Sequence, residues 1–220
     1  MKKFWFFGDS FTAGTGCLPN QSYYEQYRKD GDKIWVDWIK DTFEIECIND
    51  GVPGASNDMI LDSIIRRWDE IKEGDLVFIG KTLSGRFDVP LDDRLEPIRY
   101  HFRGKQLDEL REKLTPEQLE TIINFQFYFS EHSLYEERHN SRYKFIIERL
   151  NEKKTNTFFW YIFSEHKKYE TIVEATKGKI LDDHWSFNGH KNFADYVILK
   201  FIKNYVNLVK NNIKTKTTLC

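Results

Sequence analysis

At 220 residues the chain is long enough to bury one sizeable core. With 31% charged residues and a formal net charge of -2, it carries no global basic field of the kind that draws nucleic acid. Its cysteines, Cys17, Cys47 and Cys220, are odd in number and lack metal-ligand spacing, which argues against a disulfide framework or zinc knuckle and fits a reducing, cytoplasmic interior.

Met1-Lys2-Lys3 precedes "FWFF", an apolar run that ends at Gly8-Asp9, well short of the core of a secretion signal. The run is therefore read as a first strand, "KFWFF" (3 to 7), and no stretch approaches the ~18 apolar residues that span a bilayer. "GDSFTAG" (8 to 14) follows as a strand-to-helix turn, in which Ser10 is either a helix cap or a nucleophile. "DKIWVDWIKDTF" (32 to 43) has helical spacing, "FEIECI" (43 to 48) reads as a strand, and "SNDMILDSIIRRWDEI" (56 to 71) reads as a helix capped by Ser56 or Asn57. Strands follow at "DLVFIG" (75 to 80) and "TFFWYIF" (157 to 163). Continuously apolar strands joined by helical crossovers belong to a parallel sheet covered on both faces, an α/β fold in one domain spanning 1 to 220.

Residues 91 to 150 break this rhythm and read as helices, with "TPEQ" (115 to 118) supplying a cap, a first-turn proline and a capping-box Gln. A helical insertion over about 91 to 145 is expected near the strand ends, where ligands bind in open α/β sheets. The last helix carries Phe193, Val197, Ile198, Phe201, Ile202, Tyr205 and Val209 on one stripe and is expected to dock on the sheet, with "NNIKTKTTLC" frayed beyond it.

A serine hydroxyl is a weak nucleophile and needs a base, which in turn needs an orienting carboxylate. Of the six histidines, His184 stands out in "DDHWSFNGHKNFADY", after the short apolar run "KIL" and before the last helix. In an extended segment Asp182, two residues upstream, points its side chain the same way as His184, whereas Asp183 points away. His190 reads as a structural residue at the helix start, and His101, His132, His139 and His166 lie in charged segments that suggest solvation. His184, His190 and Asp183 lack a further ligand, so no metal is expected.

The order "GDS", then "NDGVPGAS" after the second strand, then "DDHWSFNGH" before the last helix resembles the SGNH (GDSL-type) hydrolases. That resemblance implies a flavodoxin-like three-layer α/β/α sandwich with about five parallel strands. It implies an ester hydrolase with Ser10 as nucleophile, His184 as base, and an oxyanion hole built from Ser10 N–H, Gly54 N–H and a third donor. Two departures stand out. The family acid usually lies three residues before the His, where this chain has Leu181, so the acid is assigned to Asp182 in a D-x-H-W variant. The third block, normally Gly-x-Asn-Asp, reads "GKTLSGRFD", which puts Thr82 in the place of the Asn donor. Ser84 and Arg86 are candidates to complete the hole or bind substrate, as is Asp9, and this divergent block resembles phage and bacterial members.

The implied substrate is a small-molecule or carbohydrate ester, with an O-acetyl sugar favoured by the polar insertion and no organic cofactor required. Two alternatives remain open: a flavin- or nucleotide-binding module, because "SFTAGTG" loosely resembles a phosphate loop, and a retired hydrolase kept as a binding or structural protein.

Overall fold

Five large side chains in a row cannot all face one side of a strand, and β1 (Lys3–Phe7) resolves this by sending Phe4 and Phe6 to one face and Trp5 and Phe7 to the other. The computed structural model describes residues 2–14, 32–91, 94–98, 110–129, 133–169, 171 and 184–203. In it β1 pairs in parallel with β2 (Glu46–Asn49) and β3 (Leu76–Lys81), and β3 pairs in parallel with a later strand over Asn156–Tyr161. Among the described residues the sheet has four strands, where about five were expected. The second strand lies at one edge, the Asn156–Tyr161 strand at the other, and β1 beside β3 in the centre.

Helices cover both faces. On the first, α2 (Trp35–Phe43) and the helix over Phe187–Val197 pack on Phe4, Phe6, Leu76 and Phe78. Trp35 is the hub: its ring stands edge-on to Phe6 and Phe193, each 5.0 Å away, and its indole N–H donates to Phe11 O at 3.0 Å. On the second face, Ile60 and Ile64 of α3 (Asn57–Arg66) join Tyr143, Ile146 and Leu150 against Trp5, Phe7, Val77 and Ile79. The chain's 16% aromatic residues thus have a structural use, because each buried ring removes a large apolar area from water.

The segment after β3 departs from the all-helical expectation. Its first part is an antiparallel hairpin, β4 (Phe87–Leu91) and β5 (Arg94–Ile98), in register from Phe87 opposite Ile98 to Leu91 opposite Arg94. Pro97 explains the difference, since it would break a helix interior but is tolerated in a two-stranded ribbon whose outer edges need no donor. Helices follow as α4 (Pro116–Phe129) and α5 (Ser133–Glu152), and the latter leads into β6 (Asn156–Tyr161). The capping box at the start of α4 is formed in both directions, Gln118 N to Thr115 Oγ1 at 3.2 Å and Thr115 N to Gln118 Oε1 at 2.9 Å. Leu110 is buried in a small separate core with Phe87, Leu114, Leu119 and Ile122.

After the short α6 (Ile162–Glu165), the last described helix, α7 (Phe187–Val197), continues into a π-helical turn over Ile198–Ile202. Phe193, Val197, Ile198 and Ile202 are buried as the stripe requires, whereas Tyr205, Val209 and the C-terminal tail lie outside the described residues. No described helix is long and apolar enough to cross a membrane.

Asp75 sets the start of the central strands. Its carboxylate accepts from Lys3 N, Trp5 Nε1 and Lys72 N, each at 2.9 Å. Asp75→Ala strands the buried indole N–H of Trp5 and is expected to cost about 3 kcal/mol or more in urea unfolding.

Candidate active site

The site assembles where β1 ends. Asp9, not Ser10, is the cap of α1 (Ser10–Ala13): its Oδ1 accepts from Phe11 N at 3.1 Å, and Gly14 closes the single turn in the left-handed conformation, φ 75. Ser10 is thereby released from the capping role and stands as the first residue of the turn.

His184 reaches it from 174 residues away in sequence, with Nε2 2.6 Å from Ser10 Oγ. Both residues are buried, Ser10 at 0% exposure and His184 at 3%. The imidazole stacks on the Phe11 ring, centroids 4.9 Å apart at 24°. Its neighbours in sequence hold it there. Trp185 is wholly buried among Phe11, Trp160 and Phe193, and Ser186 caps α7 by accepting from Gly189 N at 3.1 Å. His190 packs edge-on to Trp185 at 5.3 Å, a structural placement. Asp182, Asp183 and Leu181 lie outside the described residues, as do Cys17, Cys220, His101 and His132.

The second block docks on the same turn. Asn49 Nδ2 donates to Thr12 O at 2.8 Å, its Oδ1 accepts from Gly51 N at 3.0 Å, and Val52 N donates to Gly8 O at 3.0 Å. A Cβ on Gly51 would lie 2.5 Å from Ala13 N, so only glycine permits this approach. Gly54 is buried with φ 78, also a glycine conformation. Among the described residues neither Ser10 N–H nor Gly54 N–H makes a hydrogen bond.

The third block is arranged otherwise than the sequence suggested. Thr82 Oγ1 spends its single proton on Asp9 Oδ2 at 2.9 Å and so is not a free oxyanion donor. Arg86 is not a surface ion pair: it is about 90% buried, with Nη1 2.8 Å from the same Asp9 oxygen and 3.4 Å from Ala55 O. Ser84 Oγ donates to Glu136 on α5. Asp9, fully buried with both oxygens engaged, is likewise an internal anchor and not a substrate contact.

Several structural residues of the site carried no distinct sequence signal. Asn57 was legible only as a possible cap, a role that Ser56 takes through Met59 N at 3.0 Å. Its buried carboxamide clamps the third block instead: Oδ1 accepts from Thr82 N and Tyr143 OH, at 3.0 and 2.9 Å, and Nδ2 donates to Thr82 O and Leu83 O, at 3.1 and 3.2 Å. Lys81 is buried against Glu136, Asn140 (2.7 Å) and the Tyr161 ring (4.9 Å). Burial pushes Glu136 up, but hydrogen bonds from Lys81 and Ser84 outweigh it and hold the carboxyl below its ordinary value. His139, expected to be solvated, is wholly buried 3.8 Å from Asp58, whose carboxyl it helps to lower. Burial raises Asp88, although Ser56 donates to it at 2.7 Å. No three His, Cys, Asp or Glu side chains among the described residues are grouped as metal ligands.

No protein-family model matches the chain, and no curated protein matches it significantly. Among solved structures it is similar over 92% of its length to 99% of a lipolytic G-D-S-L family member from Veillonella parvula, at 12% identity and a TM-score of 0.38. It is also similar over 90% of its length to 67% of a carbohydrate esterase described as having divergent catalytic and non-catalytic binding functions, at 14% identity and 0.43. A third similarity, again over 90%, is to 92% of an acetylxylan esterase from Geobacillus stearothermophilus, at 14% identity and 0.37.

The lowered Glu136 carboxyl contributes stability that is present above its ordinary value of 4.5 and lost as pH falls through its folded value. Glu136→Gln is therefore expected to melt lower at neutral pH, where it leaves the Lys81 ammonium without its carboxylate. It should also lose less on acidification from about pH 6 to about pH 3.5 than the wild type, as thermal melts across that range will show.

Proposed function

We propose that the protein is a serine ester hydrolase of SGNH type, and the observation that carries this reading is the 2.6 Å contact between His184 Nε2 and Ser10 Oγ. Ser10 Oγ attacks the ester carbonyl while His184 takes its proton, with Asp182 proposed as the carboxylate that orients the ring. Negative charge developing on the carbonyl oxygen is met by Ser10 N–H and Gly54 N–H. Collapse expels the alcohol, which receives the proton from His184. Water, deprotonated in turn by His184, then releases the acyl group as a carboxylic acid and restores Ser10. The reaction draws on no metal or organic cofactor. An O-acetyl ester on a carbohydrate is the proposed substrate.

With Thr82 committed to Asp9, the hole has one donor fewer than the family pattern, and such a loss costs roughly 10²- to 10³-fold in rate. This favours one second reading, a retired hydrolase that binds without turnover. Hydrolysis of p-nitrophenyl acetate together with fluorophosphonate labelling of Ser10 separates the two. Failure of both on a folded protein overturns the enzyme.

Ser10→Ala and His184→Ala are each expected to reduce esterase activity by about 10³-fold or more, to background. Asp182→Asn should lower kcat strongly and Asp183→Asn little. The opposite ranking, measured on the same ester, would move the acid to Asp183.

A further inference from the structure

Resting on the hydrolase reading, we infer that Thr82 is a positioning residue for the nucleophile, acting through Asp9 with Arg86 as its partner, and not a substitute oxyanion donor. A helix of four residues has too few hydrogen bonds to hold its own geometry, because nucleation fixes several dihedrals for each early bond. The placement of Ser10 on α1 therefore depends on what holds the cap. That cap is a carboxylate with no solvent contact, and its two oxygens divide the work. Oδ1 accepts from Phe11 N inside the turn, whereas Oδ2 accepts from Thr82 Oγ1 and Arg86 Nη1, both in the third block.

Thr82 is a rigid post for this purpose. Asn57 bonds its N–H and its carbonyl, and Tyr143 of α5 bonds Asn57 in turn. The hydroxyl thus has a fixed origin and one proton, which it donates to Asp9 Oδ2. Arg86 adds a second tie, since its Nη1 lies 2.8 Å from Asp9 Oδ2 and 3.4 Å from Ala55 O. One guanidinium nitrogen thereby links the turn that presents Ser10 N–H to the turn that presents Gly54 N–H. The residue that replaces the family's Asn has moved from the reacting oxygen to the support of the nucleophile.

The test is the rate at which a fluorophosphonate labels Ser10, read beside kcat and KM on p-nitrophenyl acetate and beside thermal melts. Thr82→Val, isosteric but without the hydroxyl, is expected to lower labelling and kcat by about tenfold to a hundredfold with KM little changed. Thr82→Ser should restore both, and Thr82→Asn should not. Wild-type rates in Thr82→Val overturn the role, as do rates in Thr82→Asn equal to or above wild type, which would make residue 82 an oxyanion donor after all. If Thr82→Val does not fold, Arg86→Met acts on the same carboxylate oxygen. A fall of about tenfold is then expected, and an unchanged rate overturns the role. A folded wild type that is never labelled removes the hydrolase and this role together, whereas a labelled wild type with indifferent variants removes only the role.

Discussion

A carboxylate buried without solvent needs hydrogen-bond donors in place of water, and Asp9 receives them from three directions. The backbone N–H of Phe11, the hydroxyl of Thr82 and the guanidinium of Arg86 converge on it. Because these groups belong to the first helical turn, the end of β3 and the start of the hairpin, satisfying one charge forces three segments into one geometry. Ser10 is the next residue, so its place is set by the same constraint.

Around this charge the scaffold is apolar and stiff. Trp35, Phe78, Phe193, Trp185 and Trp160 form a continuous aromatic layer on one sheet face, with ring centroids between 4.7 and 6.1 Å where they meet. Large rings with few rotatable bonds lose little entropy on burial, and their packing leaves His184 few ways to move away from Phe11 and Ser10. His184 is fixed by its neighbours: Trp185 is packed in the aromatic layer and bridges Thr171 in antiparallel fashion, and Ser186 caps α7.

The helix α5 is joined to the site from behind. Tyr143 OH bonds Asn57, and Glu136 receives both Lys81 and Ser84, so α5 holds the third block through side chains alone. These contacts explain why polar residues as long as Lys81 are buried at the end of a central strand: the ammonium has a carboxylate, a carboxamide and an aromatic face within reach.

Much of this architecture was legible in the chain. Apolar runs at 3 to 7 and 75 to 80, helical spacing at 32 to 43 and 56 to 71, and the Thr115-Gln118 box each express a local rule of period or capping, and each is present at or within a few residues of its place. The part of the hairpin from residue 91 on, expected as helix, is a strand because single polar and apolar residues there fit either period and only Pro97 argues against a helix. The meeting of Ser10 with His184 was suggested by motif order, but its distance depends on how strands and helices far apart in sequence pack. The partners of Thr82, Arg86, Ser84 and Asn57 were beyond local reading altogether. A hydroxyl, guanidinium or carboxamide bonds whichever group packing brings within 3 Å or so, and that choice is made by the assembled core and not by neighbours along the chain.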